Sequence, residues 1–145
     1  MEVRTPANSI EWEGYFELRW NLLRAPWQQL KGSERDDLEN HHDTFHAMAI
    51  DDLGKIYGVG RLQLLNSQQA QIRYMAVSID AQGKGVGTYI LEFLENIAKV
   101  KNIKEIKLQA RENAIPFYQR NGYHVQEKTF LMYNDIQHYL MTKKI

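Results

Sequence analysis

The sequence contains no cysteine and only three prolines among its 145 residues. Without thiols the chain can form neither a disulfide framework nor a thiolate zinc site, and no covalent cysteine intermediate is available to it. Disulfides are typical of oxidising compartments, so their absence agrees with a reducing one. We therefore expect a cytoplasmic protein.

An excess of one charge sign is also missing, because eighteen basic and eighteen acidic residues give a formal net charge of zero. Nucleic-acid-binding proteins usually carry a strong basic excess, so no nucleic-acid partner is expected. No segment approaches the roughly 18 consecutive apolar residues of a membrane span, and no membrane partner is expected either. The length, without repeats or a linker, predicts a single domain over residues 1–145.

The hydrophobic pattern predicts a mixed α/β (α+β) order of elements. A first helix is expected to begin with Ser9 as its cap and to end before Pro26. The polar, acidic segment 32–42 is expected to be a loop or a short second helix. The other expected elements are antiparallel strands at 45–50, 56–65 and 69–78, a helix over 86–98, a strand at 105–110, a short helix at 114–120, and closing strands at 123–127 and 138–142.

Three alternating glycines stand between a predicted strand and a predicted helix, in the stretch Gln-Gly-Lys-Gly-Val-Gly-Thr at 82–88. Glycine permits positive φ and close backbone approach, and the N–H groups at a helix N-terminus attract anions. The side chains of Lys84 and Thr88 can add contacts. The pattern indicates a phosphate-binding loop, with a ligand-free turn as the alternative. It matches neither the P-loop nor the dinucleotide-binding spacing.

Residues 82–87 resemble the [Q/R]-x-x-G-x-[G/A] signature of the GNAT superfamily of N-acetyltransferases. A second block, residues 108–123, is similar to the family's next element, which is a strand, an Asn, a short helix with a Tyr, then Gly and an aromatic residue. The N-terminal third resembles the family only in the order of its elements. The resemblance implies a GNAT-type fold, in which a central mixed, mostly antiparallel sheet is flanked by helices and the glycine-rich loop leads into the central helix.

The resemblance also implies that acetyl-CoA is the co-substrate and that no metal is needed. Asn113 is expected to hydrogen-bond the CoA arm, although Asn is also a good helix cap. Tyr118 is expected to contact CoA and to act as the acid that protonates the departing thiolate. The pyrophosphate and pantetheine are expected to meet mainly backbone groups of Met75, Ala76, Val77, Gln82, Gly83, Lys84, Gly85, Val86, Gly87 and Thr88.

The general base is less clear, because the glutamate that many family members carry before the glycine loop is absent from residues 71–77. The candidates are Glu39, His41, His42, His138 or an ordered water. We favour His138 as the second catalytic residue, since an imidazole with a pKa near 6.5 suits proton acceptance.

Two other kinds of chemistry find little support in the sequence. A serine nucleophile needs a partnered base, and none is indicated. The pair His42 and His46 lacks a third ligand at metal-site spacing.

The expected function is acetyl transfer from acetyl-CoA to a primary amine by direct attack in a ternary complex. The acceptor is expected to be a small-molecule amine or a lysine or N-terminal amine. The rival interpretation is a non-catalytic CoA-sensing or interaction module that keeps the acetyl-CoA site, which the missing carboxylate motivates. Dimers are frequent in the family, so the resemblance also allows a homodimer.

Overall fold

The computed structural model describes residues 1–145 and places seven strands in one sheet, in the order β1-β2-β3-β4-β5-β7-β6. All neighbouring strands are antiparallel except β4 and β5, which are parallel. The predicted mixed, mostly antiparallel sheet is confirmed. The strands are β1 (Glu2–Arg4), β2 (Thr44–Ile50), β3 (Ile56–Leu64), β4 (Gln69–Val77), β5 (Glu105–Arg111), β6 (His124–Met132) and β7 (Ile136–Lys144).

The helices are α1 (Ser9–Leu23), α2 (Val86–Val100) and α3 (Ile115–Arg120), and short 3₁₀ turns cover Ala25–Trp27, Ile79–Ala81 and Glu112–Ala114. None of the helices combines the length and the apolar character needed to cross a membrane.

Helix α1 begins one residue earlier than its predicted cap suggested. The side chain of Asn8 accepts a hydrogen bond from the Glu11 N–H at 2.9 Å, which is the contact expected of an N-cap. Ser9 is therefore the first helical residue, and the prediction that it caps the helix was wrong. Segment 32–42 forms successive turns, so the loop alternative is correct there.

The two helices α1 and α2 cover opposite faces of the sheet. Along β2, Met48 packs in a cluster with Tyr15 of α1, whereas Ala47 packs in the main core with Ile90 of α2. Successive side chains of a strand point to opposite faces, so the alternation separates the two layers. Gly60 lets α2 approach, because a Cβ there would lie 2.8 Å from Ile90 Cγ2.

Strands β4 and β5 separate part of the way along their length. They pair only from Gln69 to Ile72 on β4, although β4 continues to Val77. Just beyond the last pair, Tyr74 has φ +57, and Tyr74 and Met75 together lie opposite Gly60 of β3. Such a bulge bends a strand and increases its twist. The result is a gap between β4 and β5, in which residues 73–77 of β4 have no partner on β5.

Arginine side chains surround the ring of Tyr74 at the bulge. The guanidinium carbon of Arg19 lies 4.1 Å from the ring centroid and that of Arg73 lies 4.6 Å away. Two carboxylates supply opposite charge from segment 32–42. We call this group the Tyr74 cluster; its members are Tyr74, Arg19, Arg24, Arg61, Arg73, Asp36 and Glu39.

The carboxylate of Asp36 makes short hydrogen bonds to Arg61, at 2.7 and 2.9 Å, and one to Arg73 at 3.1 Å. Burial alone would raise its pKa, but the bonds from Arg61 and the Leu38 N–H and the two positive charges lower the pKa of Asp36 to about 2. An aspartate in the unfolded chain titrates near pH 3.9. The ion pair therefore contributes stability above pH 4, and this contribution is lost as the pH falls towards 2.

Replacing Asp36 by asparagine should consequently destabilise the protein more at pH 6 than at pH 2. We expect the difference in unfolding free energy from the wild type to shrink by about 2 kcal/mol over that interval, measured by urea denaturation. The exposed Asp52→Asn variant is the control and should follow the wild type. A deficit that stays constant from pH 6 to pH 2 would contradict the assignment.

The closing strands are longer than predicted, since β6 and β7 extend to Met132 and Lys144 and join through Tyr133 and Asn134, both with positive φ. Strand β6 is an edge strand and is exposed along almost its whole length. It therefore has no buried face, and its sequence shows no hydrophobic alternation that would have predicted its extent.

Candidate active site

Two cavities meet at the gap between β4 and β5. The larger, about 700 Å³, lies between β4, the glycine loop and α3. The smaller, about 330 Å³, is reached from the end of α1 and is also bounded by β6 and β7. Both are lined by Met75, Ala114 and Tyr118, which therefore mark the junction.

The glycine loop presents a row of free donors to the larger cavity. None of the N–H groups from Gly83 to Thr88 donates a hydrogen bond within the protein. Gly83 and Gly85 have φ of +76° and +83°, a conformation that glycine adopts without strain. The loop also forms the N-terminus of α2, where the helix dipole favours an anion. These features suit a phosphate group.

The third glycine has a different role from the other two. Gly87 lies in the first turn of α2, and a Cβ there would come within 2.8 Å of the Phe117 ring. Its small size is thus needed for packing between α2 and α3. Lys84 is the one predicted cofactor-binding residue that does not line the larger cavity; it borders another surface cavity beside Tyr89 and Phe93.

The remaining predicted CoA contacts come together around the larger cavity. Its lining includes Met75, Ala76 and Val77 from the part of β4 that has no partner on β5. Asn113 also lines it from a 3₁₀ turn, and its side chain has no hydrogen-bond partner in the protein. Because Ala114 occupies the cap position of α3, Asn113 does not serve as a helix cap.

Tyr118 lies on α3 with only 7% of its surface exposed, and its ring packs edge-on against Phe117 and Tyr123. Its hydroxyl makes no hydrogen bond to the protein, although the residue lines both cavities. Burial raises the pKa of Tyr118, and the nearby positive charge of Arg111 only partly opposes this. The phenol therefore stays protonated at neutral pH and keeps a proton to donate.

His138 lies on β7 and lines the smaller cavity, with its ring stacked on Phe130 at 4.3 Å. Its Nδ1 is 3.0 Å from the carbonyl oxygen of Ile136. Since a carbonyl only accepts, Nδ1 carries the hydrogen, and Nε2 keeps its lone pair. Burial lowers the pKa of His138, and the charge of Arg111 lowers it further. The imidazole is therefore neutral and able to accept a proton.

The other base candidates lie away from both cavities. One oxygen of Glu39 is bound at 2.9 Å to Arg19 and to Arg61 inside the Tyr74 cluster. His41 and His42 stack on each other in an exposed loop. Neither cavity is lined by any of these three residues.

His46, the other half of the suggested metal pair, does not meet His42. It is buried between the hydroxyl of Tyr15 at Nδ1 and the carbonyl oxygen of Glu39 at Nε2, at 2.8 and 2.7 Å.

Sequence reasoning missed the cationic lining of the smaller cavity. Arg24 directly follows α1, whereas Arg73 and Arg111 belong to β4 and β5, and the three line the cavity together. They are far apart in the sequence and no motif links them. Only the separation of β4 from β5 brings them to one place.

Known proteins resemble the chain in sequence and in fold. The sequence model described as the acetyltransferase (GNAT) family matches residues 12–123. YyaT of Bacillus subtilis is 33% identical over 61% of this chain and 58% of its own, so the chain spans a little over half the length of YyaT. The uncharacterized N-acetyltransferase YjcF of the same organism is 32% identical over 68% of each chain.

Among solved structures, an aminoglycoside 6'-N-acetyltransferase complexed with coenzyme A superposes with a TM-score of 0.83. It is 14% identical, and the match covers 99% of this chain and 97% of that one. This likeness establishes the fold, and the predicted GNAT-type architecture is confirmed. Since the family model matches most of the sequence, the chain belongs to the GNAT acetyltransferase family.

Proposed function

We propose that the protein transfers the acetyl group of acetyl-CoA to a primary amine, by direct attack in a ternary complex. The observation that carries the proposal is the position of Tyr118, which lines both the cavity beside the glycine loop and the cavity beside His138. A thioester in the first cavity and an amine in the second would therefore meet next to the Tyr118 phenol.

Acetyl-CoA fits the larger cavity by the chemistry of its lining. The free N–H groups of residues 83–88 suit the pyrophosphate, and residues 75–77, which have no partner on β5, suit the amide groups of pantetheine. The Asn113 side chain is free to bind the same arm. The similarly folded aminoglycoside acetyltransferase holds coenzyme A, which agrees with this assignment.

The reaction proceeds by attack of the neutral amine nitrogen on the thioester carbon. The C–N bond forms, the C–S bond breaks, and the thiolate takes the proton of the Tyr118 hydroxyl. The nitrogen loses its extra proton to Nε2 of His138, directly or through a water. Because no cysteine exists, no thiol of the chain accepts the acetyl group.

A non-catalytic CoA-binding module is the rival function. Such a module needs the glycine loop and the open edge of β4. It has no need of a protonated phenol and a neutral imidazole bordering the same small cavity. The acid and base therefore favour catalysis.

Acetyl-CoA should raise the midpoint of thermal unfolding. A ligand at about 100 times its Kd increases the free energy of unfolding by about 2.7 kcal/mol. Gly85→Val should lose this shift, since a branched side chain distorts the loop that carries the phosphate donors. Gly54→Val is the matched control: its φ of +85° imposes the same backbone strain far from the cavity. Both variants should be destabilised without ligand, and only Gly54→Val should keep the shift. If saturating acetyl-CoA did not change the unfolding midpoint of the wild type, the assignment of the CoA site would be wrong.

Tyr118→Phe should lower kcat by roughly 10²-fold, because the thiolate loses its positioned acid. The ring and its packing remain, so stability and the acetyl-CoA shift should hardly change. Stopped-flow measurement of CoA release at saturating substrates tests this. A variant with the wild-type kcat would remove Tyr118 from the acid role and leave the CoA site intact.

His138→Gln should remove the ascending limb of the pH dependence of kcat. The pKa of His138 is lowered by burial, so the base form and the rate both increase with pH through a value below 6.5. The control is His124→Gln, an exposed histidine on β6, which should retain the limb. Measuring kcat rather than kcat/KM avoids the ionisation of the free amine. If the limb survives in His138→Gln, another group is the base.

A further inference from the structure

The smaller cavity is lined by charged side chains of one sign only. Arg24, Arg73 and Arg111 border it, and no aspartate or glutamate does. His138 also lines the cavity, but it is neutral because burial lowers its pKa. An acceptor that enters this cavity therefore meets uncompensated positive charge.

Two of these arginines form no ion pair anywhere in the protein. Arg24 is only 7% exposed and donates to the carbonyl oxygens of Ser33 and Leu23, at 3.1 and 3.0 Å. Its Nη2 has no partner. Arg111 donates one weak bond, at 3.4 Å, to the same Leu23 carbonyl and lies 4.7 Å from the Trp27 ring. A shared carbonyl acceptor brings the two guanidinium groups side by side.

Neither Arg24 nor Arg111 is paired with a carboxylate of the Tyr74 cluster, because those carboxylates bind other arginines. Asp36 binds Arg61 and Arg73, and Glu39 binds Arg19 and Arg61. Burial lowers the pKa of Arg111, and the nearby positive charge of Arg24 lowers it further. A buried charge without a partner is costly, and a ligand that supplies the opposite charge recovers part of that cost.

Arginine is suited to one class of ligand in particular. Its planar guanidinium group presents paired N–H donors that match the two oxygens of a carboxylate or a phosphate. Arg24 and Arg111 retain unused donors beside the same cavity. The volume of about 330 Å³ is near the lower end of ligand sites, so a small molecule fits and a bulky acceptor does not.

We propose that the acceptor is a small amine that carries an oxyanion, as an amino acid does, with the oxyanion bound between Arg24 and Arg111. This inference rests on the proposed transfer reaction and specifies its substrate class. The neutral amine of the same molecule then faces Tyr118 and His138 from within the cavity. Amines with additional positive charge, such as diamines and aminoglycosides, are repelled by the lining.

The test compares amines that carry an oxyanion with related amines that lack it. CoA release is measured with leucine and leucinamide, with 4-aminobutanoate and 4-aminobutanamide, with 2-aminoethyl phosphate and ethanolamine, and with 1,4-diaminobutane. The oxyanion-bearing member of a preferred pair should have a kcat/KM about 10–100-fold higher, the range of a charge-assisted hydrogen bond. The carboxylate and phosphate pairs show which oxyanion is preferred. Equal or better turnover of the carboxamides or of the diamine would overturn the inference.

Binding without turnover separates this inference from the proposed reaction. With CoA present, calorimetry should show that N-acetylleucine binds more tightly than N-acetylleucinamide, because only the former has a carboxylate. If no amine is acetylated but this preference is found, the transfer reaction fails and the anion site stands. If amines are acetylated and neither charge comparison shows a preference, the transfer reaction stands and the anion site fails.

Substitution of Arg111 connects the preference to the residue. Arg111→Gln should lower kcat/KM for the preferred amino acid about 10–100-fold, mainly through KM, and change that for its carboxamide little. Arg111→Lys should retain part of the activity. The control is Arg35→Gln, which removes a guanidinium group that lines neither cavity. An equal loss for the acid and its amide in Arg111→Gln would make the role structural and overturn the assignment.

Discussion

The contact between the Tyr74 ring and the arginines around it is the interaction on which the site depends. Tyr74 is buried and adopts a left-handed backbone conformation inside a strand, which is unfavourable for a bulky residue unless its surroundings hold it. Cation–π contacts from Arg19 and Arg73 hold the ring, and Asp36 and Glu39 offset part of the charge. The bulge that results ends the pairing of β4 with β5 and opens the gap that both cavities share.

The same cluster bears on the electrostatics of the smaller cavity. Its carboxylates pair with Arg19, Arg61 and Arg73, whereas Arg24 and Arg111 have no carboxylate partner. Burial around the smaller cavity then acts in opposite directions on the proposed acid and the proposed base. It raises the pKa of Tyr118 and lowers that of His138, because low dielectric disfavours the charged form of each. One environment thus yields a protonated acid and an unprotonated base at the same pH.

The sequence predicted the parts that depend on local patterns. The glycine loop, the strand before it and the block from Leu108 to Tyr123 are each contiguous, so their spacing indicated the fold and the family. The start of helix α1 was predicted one residue too late, because Asn8 and Ser9 are both good caps. The extent of β6 was missed because an exposed edge strand carries no hydrophobic period.

Features that arise from distant parts of the chain were not accessible in this way. Glu39 was a base candidate until the structure showed it bound to Arg19 and Arg61, which are 20 and 22 residues away. The proximity of Arg24 to Arg111 requires the end of α1 to meet the separated end of β5. No periodicity or motif encodes that contact, so the charge of the smaller cavity emerges only from the fold.

The central claim is that the gap between β4 and β5 holds acetyl-CoA with its thioester beside Tyr118. A crystal structure of the protein with coenzyme A tests it most directly. The account predicts pyrophosphate oxygens within hydrogen-bond distance of the N–H groups of residues 83–88, pantetheine paired with residues 75–77, and the sulfur next to the Tyr118 hydroxyl. Coenzyme A bound elsewhere, for example in the cavity beside Lys84 and Tyr89, with the gap empty, would contradict it.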